Sequence, residues 1–160
     1  MSLAYVGLGS NLEDPVRQIT HAFELLDEID DSQVIARSSL YLSAPFGPVE
    51  QPSFVNAVAL LDTKLDSQAL LLSLQAIEDS QGRKRDVRWG PRVLDLDLLV
   101  HGDREIDQPE LRLPHPGIAE RNFVLLPLRE IAPDLVIPGL GRVADMAVDE
   151  HEPLISRIQT

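Results

Sequence analysis

At 160 residues, with 44% hydrophobic and 25% charged residues and a formal net charge of −12, the chain has the size and composition of one globular domain rather than a disordered segment. That acidic balance excludes a protein whose affinity rests on neutralising nucleic-acid phosphates, and the lack of any cysteine excludes disulfides, thiolate nucleophiles and thiolate zinc sites. No apolar run approaches the ~20 residues that cross a bilayer, and Met1-Ser2-Leu3-Ala4 has no signal-peptide pattern, so one cytoplasmic domain spanning 1–160 is the expectation.

In chain order, Leu3 to Leu8 predicts a short buried strand that ends at the turn cluster Gly9-Ser10-Asn11. Asp14-Pro15 supplies an N-cap and a first-turn proline to a helix whose Val16, Ile19, Ala22, Phe23 and Leu26 recur at helical spacing. Val34, Ala36, Ser38, Leu40 and Leu42 alternate with more polar neighbours as one strand, stopped by the proline-rich stretch from Ala44 to Ser53. Phe54 to Thr63 predicts a strand with Phe54, Asn56, Val58 and Leu60 on one face, and Asp66 caps a helix with Leu70, Leu71, Leu74 and Ile77 as its core stripe and Gly82 at its end. A strand from Val93 to His101 follows.

This order of strand, helix, strand, strand, helix, strand predicts an α+β protein with a ferredoxin-like βαββαβ core, a mainly antiparallel sheet and both helices on one face. For the C-terminal third the expectation is a hairpin through Gly102-Asp103 into a strand around Ile106, short helical pieces broken by Pro114, Pro116 and Pro127, and a last helix over Asp145 to His151.

Five of the chain's 14 Lys and Arg fall between Arg83 and Arg92, and the same stretch holds Arg88-Trp89-Gly90-Pro91-Arg92 and leads directly into Leu94-Asp95-Leu96-Asp97. A charge run alone is most often a solvated face, but here two carboxylates follow it. On a strand Asp95 and Asp97 project from the same face, about 7 Å apart at Cα. Like charges so placed repel unless a cation lies between them, and magnesium suits one or two carboxylates plus substrate phosphates. Arginine forks grip phosphate oxygens in pairs. Phe54 and Asn56, on one strand face, can stack a flat heterocycle and read its polar edge. The chain has no Gly-x-x-x-x-Gly-Lys-Ser/Thr loop, so phosphate handling falls to arginines and metal.

Taken together, Gly9-Ser10-Asn11-Leu12, Pro45-Phe46-Gly47-Pro48 with Gln51-Pro52, Phe54 with Asn56, Gln75 with Glu78, Gly82-Arg83, Arg88 to Asp97, Pro114-His115 and Arg121-Asn122-Phe123 resemble the 6-hydroxymethyl-7,8-dihydropterin pyrophosphokinases of folate biosynthesis. The resemblance implies transfer of pyrophosphate from ATP to the pterin hydroxymethyl, with ATP as co-substrate. It implies that Asp95 and Asp97 hold two Mg2+ ions, and that Phe54 and Phe123 sandwich a pterin read by Asn56 and by groups of Ser43, Ala44, Pro45 and Phe46. It places Arg83 and Arg92 on the phosphates as loop arginines, and Gln75, Glu78, Arg85, Trp89, Leu98, His115 and Arg121 on the nucleotide side. The implied partners are these small molecules, with no nucleic acid or membrane, and the implied state is a monomer. A magnesium-dependent phosphohydrolase and a non-catalytic nucleotide-binding module are the competing readings.

Overall fold

The computed structural model describes residues 2–12, 14–44, 52–81, 93–151 and 153–158. The first part of the chain forms β1 (Ser2–Ser10), α1 (Pro15–Asp27), β2 (Ser32–Arg37), β3 (Tyr41–Ser43), β4 (Phe54–Thr63), α2 (Ser67–Ser80) and β5 (Asp95–His101). Then come β6 (Ile106–Gln108), β7 (Leu111–Leu113), α3 (Asn122–Ile131), β8 (Val136–Ile137), β9 (Gly141–Arg142) and β10 (Ile155–Arg157). The main sheet has the order β10-β3-β4-β1-β5, with β2 also paired to β4 and every neighbouring pair antiparallel. The architecture is thus a mixed α/β fold built on a mainly antiparallel sheet.

Alternation along the strands divides the core in two. Ala4, Val6 and Leu8 of β1, Val55, Ala57, Ala59 and Leu61 of β4, and Leu96 and Leu98 of β5 pack against Ile19, Ala22, Phe23 and Leu26 of α1 and Leu70 and Leu74 of α2. Each of these large side chains contributes about 1.5–3 kcal/mol by leaving water. Both helices begin where expected, since the Asp14 and Asp66 carboxylates accept from the Arg17 and Ala69 N–H groups at 3.4 and 2.8 Å. On the opposite face Tyr5, Val58, Leu99 and Val100 meet Val124, Leu125 and Leu128 of α3.

Several expectations need correction. The strand expected from Val34 to Leu42 is two strands, because Ser38 exchanges hydrogen bonds with the Val58 backbone through both its N–H and its Oγ, and the alternation reverses beyond it. Tyr41 and Ser43 are therefore buried while Leu42 is 43% exposed. Val16, placed on the core stripe of α1, is 38% exposed at the start of that helix. The strand around Ile106 pairs with β7 rather than turning back on β5. Pro127 does not break the chain but lies buried inside α3. No helix forms over Asp145 to His151; a 3-10 turn at Val143–Asp145 precedes β10. Gly82, expected to end α2, lies outside the described residues.

His101 ties the termini of three elements together. Fully buried, its ring places Nε2 2.7 Å from Ser2 Oγ and Nδ1 2.7 Å from Ser67 Oγ. Burial, and then the charge of Arg104, push its pKa down to about 4 against a small opposing pull from Asp66. Between pH 6.5 and 4 the unfolded chain therefore binds a proton that the folded chain refuses, so stability falls as pH drops through that window. We expect a loss on the order of 1–3 kcal/mol from this residue. Urea unfolding at pH 7.5 and 4.5 checks it: His101→Asn should flatten the pH dependence measured for the wild type, and an unchanged slope would assign the acid sensitivity elsewhere.

Candidate active site

On the α3 side of the sheet, β1 carries no side chain at two successive positions of that face, Gly7 and Gly9. Gly9 is paired with Asn56 of β4 on one side and Asp95 of β5 on the other, and Gly7 likewise with Val58 and Asp97. Residues directly opposite in antiparallel strands share a face, so Asn56, Asp95 and Asp97 stand around a trough floored by backbone. At Gly9 the floor is tight, since a Cβ there would lie 3.0 Å from Asn56 Nδ2, whereas one on Gly7 would meet the Leu99 side chain in ordinary contact at 3.4 Å. The sequence signal was present in Gly9, but it reads there as a turn. In the structure β1 continues through it to Ser10.

Ser10 and Asn11 then fasten what flanks the trough. Ser10 Oγ donates to the Val93 carbonyl and Asn11 Nδ2 donates to the Pro52 carbonyl at 3.0 Å. The two bonds hold Val93 and Pro52 against the end of β1 and the residue that follows it.

On the β4 side, Ser43 is buried and donates its hydroxyl to Asn56 Oδ1 at 2.8 Å, which turns the Asn56 amide nitrogen towards Gly9. Phe54, paired with Ser43, lies half-buried on the same face. Phe123, in the first turn of α3, is partly buried against the core cluster on the same side of the sheet, which includes Tyr5 and Val58.

On the β5 side, His115 lies within electrostatic reach of Asp95. Its N–H donates to the Leu99 carbonyl at 2.8 Å, and its Nδ1 accepts from Gly117 N–H at 3.0 Å. The accepting Nδ1 leaves the proton of the neutral ring on Nε2. Burial, and next the guanidinium of Arg121, push the His115 pKa down to about 4, while Asp95 pulls in the other direction. Arg121 lies flat on Gly117, where a Cβ would come within 2.7 Å of its Nε. Helix α3 starts immediately after Arg121 with no side-chain cap.

The remaining candidates distribute unevenly. Gln75 is half-buried on α2, and Glu78 is buried with its carboxylate accepting the Leu96 N–H at 2.8 Å, at the outer edge of β5. The Leu98 side chain belongs to the helix-side core rather than to the trough. Ala44 donates its N–H to the Leu154 carbonyl at 2.9 Å. Pro45, Phe46, Arg83, Arg85, Trp89 and Arg92 lie outside the described residues. Among the described residues no three His, Asp or Glu gather as a metal cluster, so a cation here would draw on Asp95 and Asp97.

Residues 5–133 match the family described as 7,8-dihydro-6-hydroxymethylpterin-pyrophosphokinase (HPPK). The chain belongs to this family. A 2-amino-4-hydroxy-6-hydroxymethyldihydropteridine pyrophosphokinase from Pseudomonas aeruginosa is 52% identical over 134 residues, covering 84% of this chain and 83% of that one. The protein of the same name from Haemophilus influenzae is 46% identical over 146 residues, 91% of each chain. Among solved structures, the Plasmodium falciparum HPPK-DHPS crystal structure with pteroate superposes with a TM-score of 0.74 at 15% identity, over 91% of this chain. This chain spans 41% of that longer polypeptide, and the likeness speaks for the fold. Asn56, Asp95, Asp97, His115 and Phe123 all fall inside the stretch that matches the HPPK family, whereas β10 lies beyond it.

Proposed function

We infer that the protein transfers pyrophosphate from ATP to 6-hydroxymethyl-7,8-dihydropterin, giving the pterin diphosphate and AMP for folate biosynthesis. Family membership supports the reaction, and one observation carries it to the structure: Asn56 and Asp95 face the same glycine from opposite sides. Two strand spacings put them about 10 Å apart at Cα. A bicyclic ring read at one end by an amide can thus present its hydroxymethyl arm at the carboxylates.

Phe54 and Phe123 are proposed as the two faces of the pterin slot, with Asn56 and the segment from Ser43 to Phe46 reading its edge. Asp95 and Asp97 fit a hard divalent cation, being two carboxylates on one face of β5. We propose that they hold two Mg2+ ions together with the substrate phosphates, which would supply Lewis-acid neutralisation of phosphate charge. His115 presents its Nε2 proton, and stays neutral at working pH because its pKa is near 4. It therefore serves a phosphate oxygen as a hydrogen-bond donor rather than as an acid. Arg121 and the uncapped first turn of α3 add positive potential at the same end. Arg83 and Arg92, by their place in the family motif, are proposed to meet the phosphates, with Arg85 and Trp89 beside the nucleotide.

The outer edge of β5 supports a nucleotide there. Residues two apart on a strand present their peptide groups to the same edge, and Leu96 N–H points outward to Glu78. Leu98 can then serve through its backbone although its side chain is buried, with Gln75 and Glu78 alongside. The strand order β5-β1-β4 followed by β2 and β3 supports the ferredoxin-like reading of the sheet. A single domain, a cytoplasmic location and a monomeric state complete the proposal; no described helix is long and apolar enough to cross a membrane.

Incubation with ATP, Mg2+ and hydroxymethyldihydropterin should yield AMP and diphosphorylated pterin in equal amounts. ADP or phosphate released without pterin would instead establish a hydrolase.

A further inference from the structure

Glu130, near the C-terminal end of α3, collects hydrogen bonds from two strands. Its carboxylate accepts from Ser39 N–H at 3.1 and 3.0 Å, from Ser39 Oγ at 3.0 Å and from Tyr41 Oη at 2.7 Å. Arg157 of β10 closes the group, with its guanidinium 2.9 Å from Glu130 and 5.9 Å from the centroid of the Tyr41 ring. Burial alone would push the Glu130 carboxyl up, but the bonds from Tyr41, Arg157 and Ser39 hold it below the usual carboxylate range.

The position of this cluster gives it a consequence at the trough. Tyr41 is the cross-strand partner of Asn56, and Ser43, two residues on, holds the Asn56 amide. Strand β10 pairs Ile155 with Ser43 and Arg157 with Tyr41, and its flanking bonds, Ala44 N–H to Leu154 and Ile158 N–H to Leu40, bracket β3 from both ends. On the helix side, Glu130 is seven residues from Phe123 along α3, about 10 Å at the helical rise. The same helix thus offers an aromatic ring at one end and is tied to β3 at the other.

We propose that Glu130, Tyr41 and Arg157 form a positioning tie that sets the distance and register between α3 and the β3–β4 edge, and hence the width of the slot between Phe123 and Phe54. Arg157 and β10 lie beyond residue 133, so the tie is completed by a segment outside the family match. The inference rests on the pterin reading of that slot. The three residues act through Asn56, Ser43 and Phe123.

The test separates positioning from simple stabilisation. In Glu130→Ala, KM for the pterin should rise about tenfold while kcat and KM for ATP stay within about twofold, because a misplaced slot weakens one substrate and not the other. Glu130→Gln, whose single amide oxygen can still accept from Tyr41 Oη and Ser39 N–H, should recover most of the loss. Should Glu130→Ala fail to fold, Tyr41→Phe removes a single hydroxyl and should still raise the pterin KM about threefold. A lowered melting temperature with both KM values unchanged would overturn the tie, as would equal losses for both substrates. Fluorescence titration with hydroxymethylpterin distinguishes this from failure of the reaction: a wild type that binds pterin yet forms no AMP refutes the transfer, while the variants' dissociation constants still decide the tie.

Discussion

Asp97→Ala should lower turnover by a factor on the order of a thousand or more, while the protein stays folded. The expectation follows from where Asp97 stands. Its neighbours Leu96 and Leu98 point into the core beneath the sheet, whereas Asp97 is only partly buried and lies opposite Gly7 on the other face. Truncating it opens no cavity in the helix-side core, so the melting temperature should move little. On the proposed reading, what is lost is one of the two carboxylates that would hold the cations offsetting phosphate charge. Phosphoryl-type transfer asks the protein chiefly to position groups and stabilise charge, so losing a cation ligand would touch the reaction itself. Two measurements check this: AMP formation, and the Mg2+ dependence of nucleotide binding, which should weaken in the variant. Turnover within tenfold of the wild type would remove the metal assignment from Asp97. A protein that unfolds would show that its place in β5 is structural.

The positions of the carboxylates and of the aromatic-amide pair were legible because strand alternation is a strong constraint. Once Phe54–Thr63 and the Asp95 strand are recognised, Phe54 and Asn56, and Asp95 and Asp97, must each share a face. What alternation cannot supply is the strand between them. Gly9 matters because it lacks a side chain beside Asn56 and Asp95, and Gly7 beside Asp97, and that is a property of register, which joins residues about fifty and ninety positions away. Taken locally, Gly9-Ser10-Asn11 has the composition of a turn.

The other misreadings share this cause. A single strand over 34–42 satisfied the pattern, but Ser38 bonds twice to Val58 and resets it. Pro127 disrupts a helix in isolation, yet burial of Val124, Leu125 and Leu128 beside it outweighs one missing N–H. Segment 155–157 gives too short a periodic signal to announce a strand; its pairing with β3 and the contact of Arg157 with Glu130 are tertiary. His115, a weak signal between two prolines, gains meaning only from its neighbours Asp95, Gly117 and Arg121.

Asn56→Asp tests the other end of the trough with almost no change of shape. Ser43 donates to Asn56 Oδ1, so the amide cannot rotate freely, and its Nδ2 lies over Gly9, on the side proposed for the pterin. Aspartate keeps the acceptor that Ser43 needs and replaces the inward NH2 with a second oxygen. A donor becomes an acceptor and carries negative charge on the face that already holds Asp95 and Asp97. A buried site built around one hydrogen-bond polarity penalises the reverse strongly, because the ligand's own acceptor is then left facing lone pairs. We expect pterin affinity to fall by a factor on the order of 100–1,000, with binding of a non-hydrolysable ATP analogue retained within about threefold. Equilibrium titration of each ligand alone makes the comparison. If both affinities fell together, Asn56 would be supporting the whole sheet face rather than reading a heterocycle. If pterin affinity were unchanged, the amide would be facing solvent, and the slot between Phe54 and Phe123 would have to be read from its backbone groups instead.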